Sequence, residues 1–178
     1  MIFTETKLKG AFIIELEKLE DERGFFARTW DQKLFEENGL NSRIVQCSIS
    51  FNKLKGTIRG LHFQIPPHEE AKLVSCIKGK IFDVIVDLRS SSDTYKKWFS
   101  IELNDQNKKM LYIPEGFAHG FQTLEDNTLV YYQISEIYSP EHARGVRWDD
   151  NTFQIEWPLK KTVISKKDSS YQSFEEGI

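Results

Sequence analysis

Ile81-Phe82-Asp83-Val84-Ile85-Val86-Asp87-Leu88 is the run on which the architecture of this chain turns. Its β-branched and aromatic content reads as a strand, entered through a hairpin turn at Lys78-Gly79-Lys80, with Asp83 and Asp87 on one face. Further short strand-like runs follow at residues 98–103, 110–113, 117–124 and 128–135, separated by breaks rich in Asn, Asp and Gly. Many short strands at close spacing, with almost no helix, predict an antiparallel β-sandwich or barrel.

Working back toward the N-terminus, residues 12–16 read as another strand. Asp21-Glu22-Arg23-Gly24 is a charged turn leading into a short run over 25–30. Residues 31–39 form the clearest helix: Asp31 can accept backbone N–H bonds at its start, and Asn38-Gly39 offers a left-handed stop. Being short and isolated, it is decoration on a β fold. From Val45 the pattern has period two. Val45, Cys47, Ile49 and Phe51 share one side; Gln46, Ser48, Ser50 and Asn52 share the other. A polar face of that kind either meets solvent or lines a ligand cavity.

At 178 residues the chain is the size of one domain with a real core, and a single all-β domain over 1–178 is expected. The net charge of -3, without any Lys/Arg block, argues against a nucleic-acid footprint. No apolar run approaches the roughly 20 residues that span a bilayer, and Met1-Ile2-Phe3-Thr4-Glu5 lacks a signal-peptide layout. Cys47 and Cys76 lie in apolar alternating runs with no CxxC pattern, which predicts two buried, reduced cysteines in a cytoplasmic protein.

The candidate chemistry centres on Arg59-Gly60-Leu61-His62-Phe63-Gln64, on Lys72, and on His119 in Gly116-Phe117-Ala118-His119-Gly120. His62 and Gln64 share a strand face; Arg59 points to the other unless Gly60 hosts a bulge that brings both side chains to one cavity. A β-barrel metal site of the His-x-His kind lacks its second ligand in His62-Phe63-Gln64, and His68-Glu69-Glu70, in a Pro-rich loop, reads as a solvated charged turn. No metal is expected. Neither a Gly-rich phosphate loop nor a GxSxG elbow occurs. What remains is proton transfer without a cofactor, which needs a base, a cation or donors for a developing oxyanion, and an acid; histidine, lysine and tyrosine meet these needs in turn.

Six stretches, in order, resemble the dTDP-4-dehydrorhamnose 3,5-epimerase family of cofactor-free, cupin-like sugar-nucleotide epimerases. They are Asp21-Glu22-Arg23-Gly24-Phe25-Phe26, the Arg59–Gln64 hexapeptide, Lys72-Leu73-Val74, residues 82–89, residues 113–121 and Ser165-Lys166-Lys167-Asp168. The resemblance implies a cupin-like jelly-roll barrel with a few short peripheral helices. It further implies inversion of C3 and C5 in a nucleotide-linked, dTDP-type 4-keto-6-deoxyhexose. On this likeness His62 is the general base, Asp168 its orienting partner, and Lys72, with His119, the stabiliser of the enolate oxygen. Tyr132 is the acid on the other face of the sugar. Arg23 and Arg59 match residues used around the diphosphate and nucleotide, while Gln46, Ser50 and Tyr138 are further nucleotide or sugar contacts. The resemblance implies a homodimer in which an N-terminal segment reaches across the interface. Phe25-Phe26 can serve that exchange, a plain core hairpin being the alternative.

Three departures stand out. Gln46, Ser48, Ser50 and Asn52 replace a Gln-x-Asn-x-Ser-x-Ser run, Ser92-Asp93-Thr94-Tyr95-Lys96 replaces Ser-Pro-Thr-Phe-Gly, and Ala143-Arg144 stands where a Glu is common. None touches the acid/base set. They bear on the nucleotide and on whether both carbons are inverted. Alternatives are a C3-only epimerase, a metal-dependent cupin enzyme and a non-catalytic sugar-binding module.

Overall fold

The structure, a computed structural model, describes residues 1–174. In chain order the strands are β1 (Ile2–Glu5), β2 (Phe12–Glu15), β3 (Leu19–Asp21), β4 (Gly24–Phe26), β5 (Gln46–Asn52), β6 (Ile58–Gln64) and β7 (Lys72–Lys78). They continue as β8 (Lys80–Asp87), β9 (Trp98–Asn104), β10 (Met110–Ile113), β11 (Phe117–Thr123), β12 (Thr128–Ile134) and β13 (Ala143–Gly145). Helices α1 (Gln32–Glu37) and α2 (Lys166–Ser169) are short. One sheet runs β1-β2-β10-β7-β12-β5, the second runs β13-β6-β11-β8-β9, and β3-β4 form a separate ribbon. The strand pairings within these sheets are antiparallel. This is the antiparallel β architecture that the strand spacing predicts, in the cupin-like form that the resemblance implies.

Side-chain alternation explains how the sheets stack. Val74, Cys76, Leu111, Ile113 and Val130 of the first sheet meet Ile81, Ile85, Leu103, Phe117 and Phe121 of the second in one buried cluster. Strand β8 reads as nearly continuous apolar sequence because both its faces are covered. Ile81 and Ile85 point into the inter-sheet core, and Val84 and Val86 pack under Val146, Phe153 and Trp157 on the outside. Helix α1 covers the outer face of the first sheet, with Asp31 capping Leu34 N–H at 3.2 Å and Gly39 in the left-handed region. Its one buried side chain, Phe35, packs on Phe3 and Tyr112, a burial worth about 1.5–3 kcal/mol.

Two expectations are corrected. Cys76 is buried, but Cys47 is exposed. It lies on the side of β5 that carries Ile49 and Phe51, and that side faces outward, with Ile49 61% and Phe51 48% accessible. Alternation identifies residues that share a face but not which face turns inward. Here the polar face took the inside. The β3-β4 ribbon is likewise not a core hairpin: Leu19, Phe25 and Phe26 are all exposed.

Candidate active site

The inward polar face of β5 opens onto a cavity of about 420 Å³, whose walls include Gln46, Ser50, Arg59, His62, Lys72, His119, Tyr132, Tyr138 and Asp168. A volume of this size suits a small ligand. His62 comes from β6 in the second sheet and Tyr132 from β12 in the first, so the two stand on opposing sheets around one space.

Gly60 is what lets Arg59 and His62 share the cavity. The β6–β11 pairing runs His62 to His119 but Arg59 to Phe121, so β6 holds one extra residue, a bulge between them. Gly60 has φ 120°, and a Cβ there would lie 2.5 Å from Gly120 Cα. Leu61 turns to the outer cluster, while Arg59 Nε donates to Asn52 Oδ1 at 2.7 Å.

On β6, His62 is half of a histidine–carboxylate pair. His62 Nε2 lies 2.8 Å from Asp168 Oδ1. Asp168 sits in α2, a helix capped by Ser165, and accepts from Gly60 N–H at 3.2 Å. The polar tail is thus folded onto the site, with Asp168 only 5% accessible. Burial alone would raise its carboxyl, but hydrogen bonds from His62, Gly60 N–H and Ser165 outweigh it and hold Asp168 below the usual carboxylate range. An ionised Asp168 assigns the hydrogen to Nε2, leaving Nδ1 with the lone pair.

The surroundings of Tyr132 are different. Burial pushes the Tyr132 phenol far up, the Asp83 carboxylate adds to this and Arg59 opposes it. Tyr132 therefore carries its proton at neutral pH. Its ring lies edge-on to His119 at 6.1 Å, and His119 Nε2 is 2.7 Å from buried Asp83 Oδ1.

Lys72 Nζ is 2.8 Å from Glu70 Oε1, and both side chains are about nine-tenths buried, at 9% and 11% accessible. Glu70 is therefore not a solvated loop charge. It is a cavity wall that fixes the Lys72 ammonium by a desolvated ion pair. Also unforeseen are Lys167, Arg144 and Tyr171 in the lining. Arg59, Lys72, Arg144 and Lys167 face only Glu70 and Asp168, so the cavity carries surplus positive charge suited to an anion. Arg23 and Phe26 do not line the cavity; they sit on the exposed β3-β4 ribbon, where Arg23 pairs with Asp21. Among the described residues no group of three or more His, Cys, Asp or Glu is placed to hold a metal ion.

Asp168→Asn is expected to leave the fold intact and lower kcat by about 10²- to 10⁴-fold with little change in KM, by releasing the wrong imidazole tautomer. Because the native carboxyl is depressed, its stabilisation is present above the ordinary carboxylate pKa and is lost as pH falls through the native value. Urea midpoints of the two proteins should therefore converge as pH drops through the carboxylate range; a gap that widens there would contradict the pairing.

Over residues 5–176 the chain matches the profile of the dTDP-4-dehydrorhamnose 3,5-epimerase family. It is 46% identical over 177 residues to the dTDP-4-dehydrorhamnose 3,5-epimerase of Methanothermobacter thermautotrophicus, covering 98% of this chain and 95% of the relative. The crystal structure of the dTDP-4-dehydrorhamnose 3,5-epimerase of Elizabethkingia anophelis superposes with a TM-score of 0.95 at 40% identity, covering 98% of this chain and 96% of that one. That of a dTDP-6-deoxy-D-glucose-3,5-epimerase of Legionella pneumophila, in complex with dTDP-4-keto-L-rhamnose, gives 0.90 at 36% identity, covering 97% and 92%.

Proposed function

Since the chain belongs to the dTDP-4-dehydrorhamnose 3,5-epimerase family, we propose that it inverts C3 and C5 of a dTDP-linked 4-keto-6-deoxyhexose, with the protons handled by its own side chains. The observation that carries this reading is the placement of His62 and Tyr132 on opposing sheets of one cavity. The complex of the Legionella pneumophila enzyme with dTDP-4-keto-L-rhamnose supports the substrate class.

The C4 ketone makes the hydrogens on C3 and C5 acidic. Nδ1 of His62 takes one of them, and the bonding electrons move into a carbon–carbon double bond that leaves negative charge on the C4 oxygen. Lys72 and His119 hold that oxyanion, their charge and donors being set in place before the reaction. Tyr132 then delivers its phenolic proton to the same carbon from the opposite face. His62 gives its proton to solvent, Tyr132 takes one back, and the cycle repeats at the second carbon. Asp168 keeps the base in one tautomer. Arg59 takes up the diphosphate through its planar fork, and Gln46, Ser50 and Tyr138 contact the nucleotide or sugar.

The reading includes a homodimer. Ile49, Phe51 and Ile77, the last 47% accessible, expose an apolar patch on the outer face of the first sheet, and such patches mark association surfaces. On this reading Arg23 and Phe26, the latter 69% accessible, reach the cavity of the partner subunit from the β3-β4 ribbon. No helix of the described residues is long and apolar enough to cross a membrane; we place the enzyme in the cytoplasm, in keeping with its unpaired cysteines. Incubation with dTDP-4-keto-6-deoxy-D-glucose, followed by proton NMR of the product, is expected to give dTDP-4-keto-L-rhamnose. Unchanged substrate at stoichiometric enzyme would overturn the reading, and inversion at C3 alone would narrow it to a mono-epimerase.

A further inference from the structure

Beyond α2 the chain is pinned at two points. Phe174 packs on Phe153 at 5.2 Å, and its N–H donates to Asp150 Oδ2 at 2.6 Å. Nearer the site, the half-buried ring of Tyr171 stands edge-on to the His62 imidazole, with centroids 5.9 Å apart and planes at 71°. The seat of this ring is a missing side chain. Gly145 pairs directly with His62 across the β13–β6 ladder. A Cβ at position 145 would meet two Tyr171 ring carbons at 2.3 Å and a third at 2.8 Å, and these are the three nearest atoms. The φ of Gly145 lies outside the left-handed region, so the backbone itself would accept alanine. The glycine is there to make room for the ring.

We propose that Tyr171 is a positioning residue for the base: seated in the Gly145 notch, its ring holds the His62 imidazole against Asp168 and keeps water from competing for that hydrogen bond. The imidazole is then fixed from two directions, by the carboxylate at Nε2 and by an aromatic wall against its ring. The ring, not the hydroxyl, does this, because T-shaped aromatic contact needs only a π-face and an edge. The role rests on the reading of His62 as the base. It concerns kcat, since displacing a reacting group by about 1 Å can cost on the order of 10²-fold.

The test uses the full-length protein in two readouts. In substrate-free protein labelled with ¹⁵N-histidine, the wild-type His62 ring should show one tautomer with the hydrogen on Nε2. Tyr171→Phe should preserve it, and Tyr171→Ala should mix or broaden it. With dTDP-4-keto-6-deoxy-D-glucose, kcat should fall by about 10- to 100-fold in Tyr171→Ala with KM nearly constant, and stay near wild type in Tyr171→Phe. Gly145→Ala, which displaces the ring from the other side, should mimic Tyr171→Ala, and the double variant should be no worse than Tyr171→Ala alone. If Tyr171→Ala does not fold, Gly145→Ala carries the test unaided. A single His62 tautomer and wild-type kcat in either variant would overturn the proposal and leave Tyr171 as a tail anchor. Wild-type protein inert toward every 4-keto sugar would instead sink the assigned reaction, while the imidazole spectrum still decides the role of Tyr171.

Discussion

His62→Ala is expected to lower proton exchange at both C3 and C5 by at least about 10³-fold, within the range assigned to a positioned general base. The other candidates cannot take over. Lys72 is engaged by Glu70 at 2.8 Å, and the Nε2 of His119 is engaged by Asp83 at 2.7 Å. Tyr132 holds its proton, because burial and the Asp83 carboxylate oppose ionisation. The substitution also strips Asp168 of its main partner while Gly60 N–H remains on Oδ2, so a modest stability loss, of about 1–3 kcal/mol, should accompany the kinetic one. Thermal unfolding separates the two effects. Exchange at the wild-type rate in folded His62→Ala would assign the base elsewhere.

Tyr132→Phe should fail in another way. Volume is conserved and the ring can keep its edge-on contact with His119, so the fold and the base side survive. His62 can still remove a proton and return it, or a solvent deuteron, to the same face, whereas delivery from the opposite face has lost its donor. Net inversion should therefore drop by about 10²- to 10⁴-fold while substrate recovered from heavy water retains its configuration and slowly gains label. Equal loss of exchange and inversion would contradict this division between the sheets.

How far the sequence alone carries the molecule follows from which interactions are local. The alternation over residues 45–52, the caps of α1 and the apolar run of β8 are all set by near neighbours and by covered faces, so they are legible. The bulge at Gly60 is legible as a condition, since glycine in a strand beside two polar candidates suggests close backbone approach. That Gly120 is the backbone it approaches is a tertiary fact. Cys47 misleads because an apolar stripe on β5 reads as core when nothing in the chain says which sheet face is inside. Glu70 misleads because a charge beside prolines resembles a solvated loop, and only the fold brings it to the side of Lys72 with little water between them. Asp168 is reachable through the family resemblance, whereas nothing in the sequence marks Lys167 or Tyr171 as cavity residues. They enter the site because the tail folds back against β6, and no local periodicity encodes that path.

The most direct measurement is the fate of solvent hydrogen during wild-type turnover. With dTDP-4-keto-6-deoxy-D-glucose in heavy water, proton and deuterium NMR of the product should show one deuteron at C3 and one at C5, each on an inverted centre. An inverted product with protium at both carbons would mean that hydrogen never passes through an imidazole on one wall and a phenol on the other.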